Sequence, residues 1–426
     1  MALRQPISRQ YYFDMDAKAM IQLTLQIESP DVIPKLIDYY KNTVIPLHLK
    51  QEGNYLVHHN DYIPVFEIPH NEHTRTLADT ANYVSQHYTR PFTESLASIS
   101  AGDNKVVLNI VHCIADGGYF KLLVDGFLNG IYPRNHKLAP FPDDSIDLYS
   151  NLIKKAPSSG YLWADNPYTT RVTTHDPQFH PSDTKKGISY YTIRTPSKSL
   201  KCYNPKKNKI SGFSEVLWLS QILAAMAHKD QMIESGGVTT CVDLRQWIEN
   251  PQKVDPFSVC NSFSAVTPFS EIEPNMTLKQ LARNLRNNLN YRLNRLEQFS
   301  FVKAFNSEQI ENHEKKDTEK DTKLVGSALE ITSMGTLNLK RPLVDAWTSF
   351  TVLPVHAGQI VSLMSFGVKS EEIDDVILRL RYSADHFSDR EMKVYGKSID
   401  YFLHNIDNNL SVKEALYEIK RFQSHI

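Results

Sequence analysis

The segment that most constrains the fold is Val106-Val107-Leu108-Asn109-Ile110-Val111, followed directly by His112-Cys113-Ile114-Ala115-Asp116-Gly117-Gly118. The apolar run predicts a strand, and the glycine pair predicts a tight turn. Tyr119 to Leu128 then sets Phe120, Leu123, Val124 and Phe127 at helical spacing, which predicts an amphipathic helix. An imidazole is thus held at a strand end. Its ordinary pKa suits proton transfer near neutral pH, and glycine, lacking Cβ, lets backbone approach a ligand. The purely structural reading of the same residues is a buried histidine at a β-to-α turn, with Asp116 capping the helix. Neighbouring side chains on a strand point to opposite faces, so the Cys113 thiol is expected in the core.

The rest of the chain alternates strand and helix. Strands are expected over Met20–Ile27 and Pro64–Ile68, with helices from Pro30 to about Tyr40 and from Thr74 to Tyr88. From Pro133 to about Asp183 prolines and polar residues accumulate and periodicity fades, which reads as a long crossover with short helical pieces. A second α/β series follows. It has strands at Ile188–Thr195, Val238–Leu244 and Ser262–Thr267, a helix at Ser211–Met226 capped by Ser211 or Ser214, and a long helix at Leu278–Phe301. Ser307–Lys323 is dense in Glu, Lys and Asp and is expected to be a solvated or disordered loop. Strands at Glu330–Leu337, Asp345–Leu353, Gln359–Phe366 and Asp375–Tyr382 and a helix at Ser388–His404 complete the pattern. The expectation is two related lobes. Residues 1–183 carry the motif and end in the crossover at about 133–183, and residues 184–426 form the second lobe.

At 426 residues the chain is long enough for two cores. A formal net charge of −1 gives no global attraction to nucleic acid or an anionic membrane. No apolar run reaches the length of a membrane span. Met1–Met20 has neither a signal-peptide core nor an acid-poor transit pattern, so a cytoplasmic location is expected. Cys113, Cys202, Cys241 and Cys260 lie far apart with no C-x-x-C, which suits a reducing compartment. His58-His59 and His70-Asn71-Glu72-His73 lack the i, i+4 spacing of a zinc-binding H-E-x-x-H helix, and no metal is expected. There is no P-loop, G-x-G-x-x-G or G-x-S-x-G.

The H-x-x-x-D-G spacing of His112, Asp116 and Gly117, with a strand before it and Gly118 and a helix after it, resembles the signature of the CoA-dependent acyltransferase superfamily. That group holds chloramphenicol acetyltransferase, carnitine acyltransferases, plant BAHD acyltransferases, fungal alcohol acetyltransferases and peptide-synthetase condensation domains. Further segments resemble it in order. Lys209–Leu217 is similar to the opening of the second-lobe helix near the CoA tunnel, and Val242-Asp243-Leu244-Arg245 to the V-D-x-R element. Phe257-Ser258-Val259-Cys260-Asn261 resembles an aromatic-glycine-asparagine element, with Cys260 where glycine is usual. Ser333-Met334-Gly335 resembles an S-N-x-G-like strand, and Leu378–Leu403 the closing strand and helix. The D-F-G-W-G element of BAHD enzymes is absent, with only Phe366-Gly367 in that region, and so is W-R-L-I-C. The chain stands beside those subfamilies rather than inside either.

The resemblance implies two chloramphenicol-acetyltransferase-like lobes, each a mixed sheet with flanking helices, and a tunnel between them. It implies an acyltransferase using acyl-CoA as co-substrate and a small-molecule hydroxyl or amine as acceptor, with no bound cofactor. His112 would act as general base and then general acid, and the acceptor would attack the thioester directly, without a covalent enzyme intermediate. By the family pattern Asp116 pairs with an arginine that holds the turn, with Arg245 as partner and Gly117 and Gly118 in backbone roles. Ser333 and Asn261 are the candidate oxyanion donors. Lys206, Lys207 and Lys209, with Ser211 and Ser214 at a helix N-terminus, are the candidate CoA site, since such a terminus suits phosphate. A cytoplasmic monomer of secondary metabolism is the implied setting. The alternatives are a condensation-like transferase fed by a carrier-protein thioester and a non-catalytic binding module of the same fold.

Overall fold

The computed structural model describes residues 3–7, 18–59, 63–70, 75–158, 166–174, 187–306, 325–351 and 360–426. The strand Lys105–Val111 is buried along its whole length. It pairs antiparallel with Met20–Ile27 on one side and Ala97–Gly102 on the other. Leu343–Thr351 adds outside Met20–Ile27, and Val65–Glu67 adds in parallel outside Ala97–Gly102, which completes a five-stranded sheet. The helix Leu77–His87 lies across this sheet. The helices Ile33–Thr43 and Gly117–Asn129 join the same apolar core through Leu36, Tyr39, Phe120 and Leu123.

One row of this sheet is polar throughout. Ser98, Asn109, Gln22 and Ser349 are register neighbours on consecutive strands, and all are buried. Asn109 Nδ2 donates to Ser98 Oγ at 3.1 Å, Gln22 Nε2 donates to Asn109 Oδ1 at 2.7 Å, and Ser349 Oγ donates to Gln22 Oε1 at 2.6 Å. A slip of one residue would turn these groups into apolar surroundings without partners, so the row sets register.

The second sheet runs in the order Phe263–Val266, Thr239–Asp243, Ser327–Asn338, Ile360–Lys369, Asp374–Ser383, Ile188–Pro196. Strand alternation divides its side chains between two cores. Leu329, Ile331, Val361, Leu363, Leu378 and Leu380 pack on the helices Phe213–Lys229, Asp389–Asn405 and Val412–Gln423. Met334, Met364, Phe366 and Ile377 point the other way and join the core of the first lobe. The second sheet is therefore covered on both faces, by its own helices and by the other lobe.

The lobes also exchange strands. Leu343–Thr351 follows residue 183 in the chain yet belongs to the first sheet, where it covers the backbone edge of Met20–Ile27. Arg171–Val172 precedes residue 183 yet pairs with Ser327 and Ala328 of the second. A cut at 183 divides the chain but not the sheets.

Several local expectations are corrected. The helix expected over Leu278–Phe301 is two, Leu278–Asn294 and Gln298–Asn306, because Leu296 takes φ 60° and turns the chain between them. That turn lets Phe299 and Val302 pack with Tyr149 and Leu244 in a small third core. Tyr149 lies between the short crossover helices Ser145–Leu148 and Ser150–Lys155. The helix Phe213–Lys229 is opened by Gly212, not by a Ser211 or Ser214 side chain. Leu49–Glu52, Tyr55–His58 and Ala97–Gly102 are strands, and Val412–Gln423 is a helix, where no element was expected. Ser307–Lys323 lies outside the described residues, as do 159–165 and 175–186 of the crossover. Among the described residues no helix is long and apolar enough to cross a membrane.

Asn109→Ala removes the middle of the polar row and strands a buried N–H of Gln22. A stability loss of about 1–3 kcal/mol is expected for a buried polar group left unpaired, read as a lower denaturant midpoint with an unchanged slope.

Candidate active site

His112 sits where Lys105–Val111 ends. Its backbone N–H donates to the Ala19 carbonyl at 2.8 Å, the last link to the neighbouring strand. The chain then turns, and the His112 ring comes back over its own turn, with Nδ1 2.9 Å from the Ala115 carbonyl oxygen. A carbonyl only accepts, so Nδ1 carries the hydrogen and Nε2 of the neutral ring holds the lone pair. Two rings fix the imidazole plane. Phe263 stacks on it at 5.2 Å between centroids and 10° between planes, and Phe350 meets it edge-on at 4.9 Å and 79°. Phe263 comes from the second sheet and Phe350 from the exchanged strand Leu343–Thr351.

Asp116 faces away from this ring. Its side chain caps the helix Gly117–Asn129, with Oδ1 accepting from the Tyr119 N–H at 3.0 Å. The same carboxylate takes both arms of Arg245, Nη2 to Oδ1 at 2.9 Å and Nη1 to Oδ2 at 3.0 Å, and the Ser262 N–H donates to Oδ2 at 2.7 Å. Arg245 Nη2 donates onward to the Val259 and Cys260 carbonyls, at 2.9 and 3.2 Å, and Nη1 to Asp243 at 3.1 Å. Burial by itself would lower the Arg245 pKa; the Asp116 and Asp243 carboxylates outweigh it and hold the guanidinium above its ordinary range. Capping and ion pairing are thus performed by one carboxylate.

The glycine pair is explained by what stands opposite it. A Cβ on Gly118 would lie 2.6 Å from Arg245 Nη1, and one on Gly117 would lie 2.5 Å from the Met334 Cγ. Both are places where side chains from the second lobe press against the turn. The space is filled by protein, so these glycines serve the lobe contact.

Asn261 is buried, and its Nδ2 donates to the carbonyls of His112 and Cys113, at 2.9 and 3.0 Å. Both amide hydrogens are used on the turn, which leaves none for an oxyanion. Ser333 is exposed, and strand alternation turns it to the face opposite Met334. Neither oxyanion candidate therefore presents a donor beside His112. Lys206, Lys207 and Lys209 are exposed on the hairpin Tyr203–Asn204/Lys209–Ile210, with Ser211 exposed just beyond it and Ser214 partly buried. The base of this hairpin follows Lys201, whose N–H donates to the Leu403 carbonyl at 3.1 Å. None of the described contacts joins this group to the turn at His112.

Of the thiols, Cys113 is buried in the first core. Burial pushes Cys260 up to about 12 and raises Cys241 well above its ordinary value. Thiols held protonated in this way are poor nucleophiles. His70 meets Asp103 at 2.9 Å on the surface, while Glu72 and His73 lie outside the described residues. Among the described residues no three metal-ligating side chains converge.

No family model matches the sequence, and no curated protein sequence matches it. Solved structures do match along nearly the whole chain. Polyketide synthase associated protein 5 from Mycobacterium tuberculosis is 12% identical, covers 95% of this chain and 98% of its own, and gives a TM-score of 0.62. Trichothecene 15-O-acetyltransferase from Fusarium sporotrichioides is 10% identical, with 94% of each chain covered and a TM-score of 0.61. The first condensation domain of the calcium-dependent antibiotic synthetase is 12% identical, covers 97% and 99%, and scores 0.63. The protein has the two-lobed, chloramphenicol-acetyltransferase-like α/β fold of these solved structures.

Asp116→Ala leaves Arg245 charged and largely buried without its main partner, which should cost about 3–5 kcal/mol. Thermal melting of that variant should show a marked loss, while His112→Ala should melt close to the parent. Gly118→Ala should also melt lower, by about 1–3 kcal/mol, because the added methyl displaces Arg245.

Proposed function

We propose that the protein transfers an acyl group from acyl-CoA to a hydroxyl or amine of a small molecule, with His112 as general base. The observation that carries this reading is the fixed tautomer. The Ala115 carbonyl holds the Nδ1 hydrogen, so Nε2 is presented as a proton acceptor, and Phe263 and Phe350 keep the ring from turning. The acyltransferase and condensation-domain folds that overlay the chain support the same chemistry by analogy of fold.

The steps balance on His112 alone. Nε2 takes the proton of the acceptor O–H or N–H as the acceptor atom bonds to the thioester carbonyl carbon. The tetrahedral intermediate then collapses with cleavage of the C–S bond. The imidazolium returns its proton to the departing thiolate, leaving ester or amide and free thiol. No enzyme nucleophile enters, because holding the two substrates together at one base makes direct attack efficient. Asp116, Arg245 and Asn261 hold the turn that carries the base and are positioning residues. Acceptor and donor would reach His112 through a tunnel between the lobes.

Incubation with acetyl-CoA and longer acyl-CoAs against a panel of alcohols and amines, following thiol release, tests this directly. His112→Ala should lower turnover at least about a hundredfold, as general-base loss does, with circular dichroism unchanged. Undiminished transfer by that variant would remove His112 from the mechanism. Transfer from an acylated carrier protein, with none from free acyl-CoA, would make the carrier-bound thioester the donor.

A further inference from the structure

The second sheet buries two arginines that lack a counter-charge among the described residues, and one of them, Arg381, lies across Phe350 from His112. Arg379 and Arg381 lie on the strand Asp374–Ser383 and are 3% and 8% exposed. Both face the first lobe. Arg379 stacks over Tyr190 at 3.6 Å and reaches Trp347 at 5.5 Å, and Arg381 lies 4.6 Å over Phe350. Phe350 is the ring that meets His112 edge-on. Phe350 is thus in contact with both the imidazole and the Arg381 guanidinium.

Among the described residues no carboxylate pairs with either. Nε and Nη1 of Arg379 and Nε of Arg381 meet no acceptor among the described residues. Arg379 Nη2 has only a long 3.5 Å contact with the Asn82 side-chain oxygen. Carboxylates of the same sheet face are engaged elsewhere. Arg194 takes Asp345 at 2.9 Å and Asp375 at 2.7 Å. Glu330 shares a cross-strand row with Arg381 but stands two strands away, about 10 Å by strand spacing, and accepts from Ser362 at 2.6 Å. The Tyr190 hydroxyl donates to the Phe350 carbonyl at 2.8 Å. Burial pulls the Arg379 guanidinium below its ordinary value; Tyr190 acts the other way, and Arg381 adds to the lowering. Two like charges buried side by side are unfavourable unless a ligand supplies the missing anion. Arginine is the side chain suited to a carboxylate or phosphate.

We propose that Arg379 and Arg381 bind a carboxylate carried by the acyl acceptor, so that the substrate is a hydroxy or amino acid whose reactive O–H or N–H reaches His112. The word acceptor rests on the acyl-transfer reading; the anion site does not.

The test is binding to the full-length protein without turnover. 4-Hydroxybutyrate, 6-hydroxyhexanoate and 4-hydroxyphenylacetate are titrated beside their primary amides, with inorganic phosphate as a separate arm, by calorimetry and thermal shift at matched ionic strength. At least one acid should bind saturably while its amide does not, and Arg381→Met and Arg379→Met should weaken it about a hundredfold, as for removal of a buried charge partner. The ligand-free methionine variants should melt at or above the parent, since an uncompensated charge is replaced by apolar volume against the same rings. Lower melting of both variants, equal binding of acid and amide, no binding of any acid, or a response to phosphate alone would overturn the proposal. With acetyl-CoA, acetylation of the bound acid in preference to its amide supports the acceptor role. Binding without acetylation by any acyl-CoA keeps the anion site and refutes that role.

Discussion

The bidentate contact between Asp116 and Arg245 ties the two halves of the molecule together at the turn that carries His112. Asp116 ends the motif turn of the first lobe, and Arg245 belongs to the segment that leaves the second sheet. One carboxylate caps a helix, receives a guanidinium fork and accepts the Ser262 N–H. Around it, Asn261 holds the His112 and Cys113 carbonyls, and the crossover closes from the far side through Asp143 and Ser258, whose hydroxyl donates at 2.5 Å. The His112 turn is thus built from three distant stretches of chain. A buried carboxylate in such a place is tolerable only because all its lone-pair directions are met.

The same economy of contact shapes the glycine pair. Met334 and Arg245 occupy the room that side chains at 117 and 118 would need. The lobes therefore meet at a turn without Cβ atoms, and the imidazole beside it is braced by one aromatic ring from the second sheet and one from the exchanged strand. The His112 ring is held by both lobes, the condition that the proposed proton transfer requires.

The polar groups of the two sheets follow different rules. In the first sheet Gln22, Ser98, Asn109 and Ser349 satisfy one another and fix register. On the inward face of the second, Arg194 is neutralised by two aspartates, whereas Arg379 and Arg381 meet no carboxylate among the described residues. Satisfied rows stabilise a fold, and the two unpaired charges near His112 are the basis of the proposed anion site.

Much of this was legible in the sequence, because period-2 and period-3.6 patterns depend only on near neighbours. The strand Lys105–Val111, the turn after it, the capping role open to Asp116, and most strands and helices of both lobes follow from such local patterns. The short strands Leu49–Glu52 and Tyr55–His58 and the strand Ala97–Gly102, rich in alanine and serine, carry too little periodicity to be seen. Where the Asn261 and Ser333 side chains point could not be read from residue type: Asn261 donates to the His112 and Cys113 carbonyls and Ser333 is exposed. What tertiary structure alone decided is everything that depends on contact at long range in the chain. Leu343–Thr351 joins the first sheet, Phe263 and Phe350 frame His112, Asn261 serves the turn, and Arg381 comes to lie beside Phe350 with Arg379 against Tyr190 and Trp347. The sequence determines which segments are strands and helices through interactions a few residues apart; which segments share a sheet, and which charges are left without partners, is settled only when both cores close.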